Sequence, residues 1–381
     1  MNVLIFDAVR TPRGKARQGG GLAHETPHGL VSHLTAALGR RGNDPHSVDR
    51  LVLGCVGQVG AQGGHIGMVA KLASGLPDRV VVHTLNNYCA SGLSAIGQAA
   101  AAIAAGQIDR ALAGGVEMMS RVPFMADHAD YYAATDFEPR QRYIPVAVAA
   151  DLLAEKEGID RDALDRTAAT SQARAAAAEH NPSLTASRIQ VGSFDREEAV
   201  RVTSPAALAA MQPAFAAMAA GYSAALGDAT IDHRHTVAHA PPVTDGAGLA
   251  LIGRDGPGAR ARILSYAEAG GDPRDSLTAG FAAMNRALAR AGIGIRDLDR
   301  IEFMEAFAVV IAKFMRDCPV DPERVNVSGG HLAKGHPMGA TGAILLSTLL
   351  DALDAADARL GLVVVTGASG VGAAMVVERL R

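Results

Sequence analysis

Two short stretches of this chain carry residue types able to do covalent chemistry at neutral pH. In "HTLNNYCASGLSAIGQAAAAIAAGQ", residues 83–107, Cys89 stands where a β-rich run gives way to an alanine-rich helix. In "VNVSGGHLAKGHPMGATGAILLSTLLDAL", residues 325–353, His331 and His336 precede a second helix of small residues. A thiol at a helix N-terminus feels the partial positive charge of unpaired backbone N–H groups, which favours its thiolate. An imidazole titrates near neutrality and can hold the proton. On residue type alone, Cys89 is either a small core thiol or a nucleophile, and each histidine is either a satisfied core residue or a base.

Each turn needs a strand to deliver the chain and a helix to receive it, and the sequence supplies that unit twice. Residues 37–50, "ALGRRGNDPHSVDR", and 287–300, "ALARAGIGIRDLDR", match at a constant offset through Ala37, Leu38, Arg40, Gly42, Asp49 and Arg50. Both read as helix, glycine stop, then strand: "LVLGCVG" in one half and "IEFMEAF" in the other. Each half closes on a β-rich run with glycines, "RALAGGVEMM" at 110–119 and "LGLVVVTGASGVGAAMVVE" at 360–378. Strands and helices alternating at this spacing predict an α/β protein with parallel sheets and helices on both faces.

Residues 118–243 break the pattern. An aromatic and charged segment, "MSRVPFMADHADYYAATDFEPRQRY", leads into "AVAADLLAEKEGIDRDALDRTAATSQARAAAAEH", which reads as two helices with Asp160 capping the second. Such an insertion at a sheet edge is a place for substrate contacts. The expected division is therefore a first half, 1–117 with a return segment near 244–260, an inserted region, 118–243, and a second half, 261–381.

Composition excludes several classes. A chain of 381 residues is about two to three domain-lengths. With 49% hydrophobic residues, 42 glycines and no tryptophan it is globular, not disordered or collagen-like. A formal charge of −3 without basic runs gives no surface for nucleic acid. Three scattered cysteines, Cys55, Cys89 and Cys318, make no disulfide framework, and neither a signal peptide nor a membrane-spanning apolar run stands out, so a reducing cytoplasm is expected. Histidines and cysteines show no paired metal-ligand spacing; "DHRH" at 232–235 is a loop cluster, and the glycine-rich 57–67 stretch lacks a P-loop lysine.

Six motifs, in order, resemble the thiolase family of acyl-CoA C-acyltransferases: "DAVRTPRGK" at 7–15, "NYCASGLSAI" at 87–96, "GGVEMMSRVPF" at 114–124, "TDGAG" at 244–248, "MEAFA" at 304–308 and "GHPMGATG" at 335–342. The resemblance covers essentially the whole length. It implies the thiolase fold, two similar βαβαβαββ halves in five layers with an inserted loop domain, assembled as a homodimer or homotetramer. It implies Cys89 as the residue that takes an acyl group from a thioester and His336 as its activating base. Gln212, Ser171 and Gly370 are the expected contacts to coenzyme A, which is the substrate's carrier and not a bound cofactor. Gly335, Gly339, Gly342 and Gly372 would let backbone approach the acyl group. His331, Cys55 and Cys318 are expected to be structural, and Glu305 to orient its neighbours.

The departures from the family pattern are equally specific. The second catalytic cysteine is replaced by Thr366, too weakly acidic to shuttle a proton as a thiol does. The asparagine that holds an oxyanion-hole water is Met304. His239 stands where asparagine is usual, Gln212 where a basic residue is common, and Pro145 and Val146 replace a His-Met pair. What remains serves acyl transfer, and what is missing serves carbon–carbon bond chemistry. The expectation is an acyltransferase forming acyl-Cys89 from an acyl-CoA or another acyl thioester, with His239 or a partner subunit supplying the missing base. A thioester hydrolase or condensing enzyme and a non-catalytic subunit of a complex are the alternatives.

Overall fold

The structure is a computed structural model that describes residues 3–227 and 229–380. Its strands are β1 (Val3–Arg10), β2 (Gly14–Lys15), β3 (Arg50–Gly54), β4 (Val81–Leu85), β5 (Arg110–Met118), β6 (Thr244–Gly253), β7 (Ala261–Gly270), β8 (Arg300–Phe303), β9 (Leu360–Gly367) and β10 (Val371–Arg379). The longer helices are α1 (Pro27–Arg40), α2 (Ile66–Ala73), α3 (Ser91–Ala104), α4 (Val146–Lys156) and α5 (Arg161–Glu179). Short turns of helix, α6 (Pro205–Ala209), α7 (Ala216–Ala220) and α8 (Ser223–Leu226), follow before α9 (Ala279–Ala291), α10 (Ala308–Asp317), α11 (His331–Lys334) and α12 (Thr341–Ala355).

The strands form one mixed sheet in the order β4-β3-β5-β6-β1-β7-β10-β9-β8, with β2 paired to β6. Parallel pairing, expected throughout, occurs only at the flanks, where β3 pairs with β4 and β5 and β8 pairs with β9. The central strands run antiparallel. For β9 and β10 the reason is connection length: a three-residue turn, Ala368–Gly370, joins them and leaves no room for the crossover helix that a parallel pair requires.

The internal repeat is real down to its hydrogen bonds. Asp49 Oδ2 accepts from the N–H groups of Asp109 and Arg110 at 2.8 and 3.1 Å, and Asp299 Oδ2 accepts from those of Arg359 and Leu360 at 3.0 and 2.9 Å. The same aspartate therefore fastens β3 to β5 in one half and β8 to β9 in the other.

Period-2 alternation on these strands sorts the core into layers. Val363 and Val365 of β9, with Val52 and Ala113 of β3 and β5, pack against α3 and α12 through Leu93, Ile96, Leu346 and Leu349. Their strand neighbours face outward: Leu51, Leu53 and Leu112 toward α1 and α2, and Leu362 and Val364 toward α9 and α10. The result is a middle layer, α3 and α12, covered by the β3–β5 end and the β8–β9 end of the one sheet, with α1 and α2 outside the first end and α9 and α10 outside the second. Burying each Leu or Ile of the middle layer contributes about 1.5–3 kcal/mol. The apolar segment Met338–Ala355 is long enough to cross a membrane by composition, but it is 83% buried, as the core helix of such a stack must be. α3 and α12 touch where side chains are absent: a Cβ on Gly92 would lie 2.7 Å from the Gly339 carbonyl oxygen, and one on Gly342 would lie 2.5 Å from Leu93 N. That contact brings the starts of the two helices together.

Candidate active site

Cys89 lies in the turn between β4 and α3. The turn is self-braced: the Asn87 N–H donates to Ser91 Oγ at 2.8 Å, and the Ser91 hydroxyl donates to the Tyr88 carbonyl at 2.6 Å. These bonds hold Tyr88 at φ +46°, a left-handed conformation that costs a non-glycine residue about 1–3 kcal/mol.

His336 arrives from the other half on the loop between α11 and α12. Its N–H donates to the Pro242 carbonyl at 2.8 Å. Its Nδ1 lies 2.7 Å from Thr341 Oγ1 and its Nε2 lies 3.2 Å from Cys89 Sγ. The tautomer that carries its proton on Nδ1 donates to Thr341 and turns a bare Nε2 toward the sulfur.

The expectation of a ready thiolate is corrected by the burial of both groups. Burial pushes the Cys89 thiol up to about 12, against the pull of the backbone N–H groups of Ala368 and Cys89. Burial and nearby Arg13 push His336 down to about 3. The resting pair is a neutral thiol and a neutral imidazole, with Nε2 placed next to the thiol proton. The Ala368 and Cys89 N–H groups both bear on the sulfur.

Residues that sequence reasoning did not single out hold this geometry. Glu117 ties the loop after β3 to the segment that follows His336: Oε2 accepts from Val56 N–H at 2.9 Å and Gly339 N–H at 3.0 Å, while Oε1 accepts from Gly57 N–H at 3.0 Å and Gln62 Nε2 at 2.6 Å. Burial raises its carboxyl, and these donors pull it back. Arg13 reaches the Gly335 carbonyl at 3.4 Å and is itself held by buried Glu197, which also takes Arg10 at 2.6 Å. Burial alone would raise the Glu197 carboxyl, but Arg13 and Arg10 hold it well below the usual range. Glu117, Arg13 and Thr341 each stand inside a quoted motif, so motif membership was the available signal. Glu197 had none.

Of the expected participants, Cys89 and His336 are brought into direct contact, and Met304 joins them as a member of the apolar cluster around Cys89. Thr366 is corrected: it pairs across the sheet with Gly372, its Cγ2 fills the space where a Cβ on Gly280 of α9 would stand, and its buried Oγ1 has no partner. The residue of β9 that faces Cys89 is Gly367, whose added Cβ would lie 3.5 Å from the Cys89 Cβ. Met304 is fully buried in the apolar cluster around Cys89, where a thioether can hold no ordered water. His239 is corrected as a substitute base: its Nε2 is 2.7 Å from Asp165 Oδ1, its Nδ1 accepts from Thr236 N–H at 3.0 Å, and burial pushes it down to about 4. Both nitrogens are committed, so it has no site for a substrate proton.

Ser171 is also corrected as a coenzyme A contact. Its hydroxyl donates to Glu305 Oε2 at 2.6 Å and accepts from Gly330 N–H at 3.1 Å, so both of its roles are spent inside the protein. Glu305, which further accepts from Asn326 Nδ2 at 2.9 Å and Leu332 N–H at 3.2 Å, orients the segment leading to His336. Gln212 is exposed, and Gly370 serves the β9–β10 turn at φ +77°, its carbonyl accepting from Gly271 N–H at 2.8 Å. His331 is fully buried with its ring 5.5 Å from that of His336 at 86°, and neither nitrogen has a partner among the described residues.

Comparison with known proteins agrees with this geometry. The family model described as "Thiolase, N-terminal domain" matches residues 3–255, and "Thiolase, C-terminal domain" matches 258–379. The chain is 34% identical to the 3-ketoacyl-CoA thiolase of Erwinia tasmaniensis, with 99% of each chain covered. It is 34% identical to the acetyl-CoA acetyltransferase of Escherichia coli, covering 100% of this chain and 99% of the relative. The crystal structure of the Bacillus anthracis acetyl-CoA acetyltransferase superposes with a TM-score of 0.84 at 28% identity, covering 100% of this chain and 99% of that one. With both family models matched and a thiol-imidazole pair where the two halves meet, this chain belongs to the thiolase family.

Proposed function

We propose that this chain, an acyltransferase of the thiolase family, works through an acyl-Cys89 intermediate drawn from an acyl-CoA thioester. The observation that carries this reading is the 3.2 Å contact between Cys89 Sγ and His336 Nε2 inside a buried site. Sγ attacks the thioester carbonyl while its proton passes to Nε2, and the carbonyl oxygen gains charge against the Ala368 and Cys89 N–H groups. The carbon–sulfur bond to coenzyme A then breaks, and the imidazolium returns the proton to the departing sulfur. A pair of neutral groups needs no stored ion pair, which suits a site closed to water. The comparisons favour this acyl transfer over the hydrolytic and non-catalytic alternatives. Intact-protein mass spectrometry after mixing with acetyl-CoA tests it: wild type gains an acetyl mass, Cys89→Ala gains none while keeping its circular dichroism, and an adduct on the variant removes Cys89 from the mechanism.

Assembly with a second copy is part of this reading. β4 is an edge strand of the sheet, Val81 on it is 52% exposed, and Leu72 and Met68 on neighbouring α2 are 68% and 40% exposed. An unpaired edge with an apolar flank favours pairing with its own kind. Light scattering that returns a monomer mass at micromolar concentration would remove this part of the proposal.

A further inference from the structure

The relatives include a 3-ketoacyl-CoA thiolase and an acetyl-CoA acetyltransferase at the same 34% identity, so likeness alone leaves the length of the transferred acyl group open. A cavity reached past Tyr88, the chain neighbour of Cys89, and Ala368, whose N–H bears on the Cys89 sulfur, does not. If the acyl oxygen sits at the Ala368 and Cys89 N–H groups and His336 holds the other side of the sulfur, the acyl chain runs into the cavity whose inner wall is Tyr88, Ala368 and Met338. Its outer wall comes from the inserted segment: Met125, Tyr132 and Tyr143 close over it. The open space is ≈ 20 Å³, enough for one water-sized or methyl-sized group.

That wall is pinned in place. Tyr143 is 3% exposed and packs edge-on against Tyr132 at 5.0 Å, Tyr222 at 5.8 Å and Tyr131 at 6.1 Å. Its hydroxyl reaches Met125 Sδ at 4.0 Å. Met125 itself is held at φ +63° by a turn in which the His128 N–H donates to its carbonyl at 3.0 Å. Opening the cavity for a long chain means breaking an aromatic cluster in which each edge-to-face pair contributes about 0.5–1.5 kcal/mol beyond burial.

We infer that the wall of Tyr143, Tyr132 and Met125 restricts the acyl group carried by Cys89 to two carbons, so that the shortest acyl thioesters are the substrates and medium- or long-chain ones are refused. This rests on the acyl-Cys89 reading above, and the test separates the two. Wild type and Tyr143→Ala are mixed with acetyl-CoA or octanoyl-CoA, and the growth of each adduct is followed by intact-protein mass spectrometry. The expected result is octanoyl transfer to wild type roughly 100-fold slower than acetyl transfer. The octanoyl-to-acetyl rate ratio should rise by about tenfold or more in Tyr143→Ala as the lost ring leaves room. If Tyr143→Ala does not fold, by circular dichroism, Met125→Ala carries the same expectation. Octanoyl and acetyl adducts forming equally fast on wild type overturn the inference and leave the acyl-Cys89 reading standing, as does an unchanged ratio in the folded variant. No adduct from either thioester overturns both.

Discussion

The turns that open α3 and α12 hold equivalent places in the two halves, and Ser91 and Thr341 are the first residues of those helices. The Ser91 hydroxyl is spent inside its own turn, bracing the backbone that carries Cys89. The Thr341 hydroxyl reaches back to the base that the second loop delivers. The first turn braces its own backbone, with side-chain ties from Asn86 to Val56 and from Asn87 to Glu268, and the second takes support from Arg13, itself held by Glu197 of the inserted segment. The same place in a repeated fold therefore presents a thiol in one half and an imidazole in the other, with β4 leading into α3 and α11 leading into α12.

The comparison breaks most sharply at the base. His336→Ala should slow acylation of Cys89 on the order of 10²–10⁴-fold, the usual loss for a general base, measured by stopped-flow release of coenzyme A. Because His336 is pushed down to about 3, it stays neutral as pH falls from neutrality, and the wild-type acylation rate should stay flat through mildly acidic pH. A rate that falls with an ordinary histidine midpoint refutes the buried neutral pair.

Next in size is the outside support. Glu197→Gln leaves two buried guanidiniums without their carboxylate and should destabilise the fold by about 3–5 kcal/mol in denaturant titration. The sign with pH follows from a depressed carboxyl: its contribution is complete above the ordinary carboxylate pKa of ~4.3 and is lost as pH falls below it. Wild type should therefore lose stability toward acid more steeply than the variant, and parallel curves would show that Glu197 is not the group responsible.

Thr341→Val sharpens the contrast with Ser91. Losing the partner of Nδ1 removes about 0.5–1.5 kcal/mol of orientation, which predicts acylation slower by up to about tenfold with little change in melting temperature. An unchanged rate would mean that packing alone sets the imidazole tautomer. The smallest effect belongs to Thr366→Val, which replaces a buried, unpartnered hydroxyl with a methyl of similar size. Stability should hold or rise by up to about 1 kcal/mol, and acylation should be unchanged; a slower rate would return Thr366 to the mechanism.

Much of this was legible in the sequence, and for identifiable reasons. The repeat at Asp49 and Asp299 was readable because each aspartate makes the same bonds to the same strand start. Cys89 and His336 were readable because their motifs are dense in glycine and small residues, which a helix-start contact between two halves requires. The antiparallel centre of the sheet was not, since alternation reports strands and helices but not which strands become neighbours across the chain. Thr366 was misplaced because a motif gives position along a strand, whereas the face it presents is fixed by register, here the pairing with Gly372. His239 looked available because a sequence shows an imidazole but not the aspartate that occupies it.

The separation of 247 residues between Cys89 and His336 has a consequence for the order in which the chain is made. Synthesis delivers Cys89 long before His336, and residues that enclose the thiol, Gly367 among them, also come from the second half. On the proposed reading, the pairing of thiol and imidazole therefore arrives only when the second half closes on the first. A fast-forming acyl adduct during refolding would then be a clock for the docking of the halves.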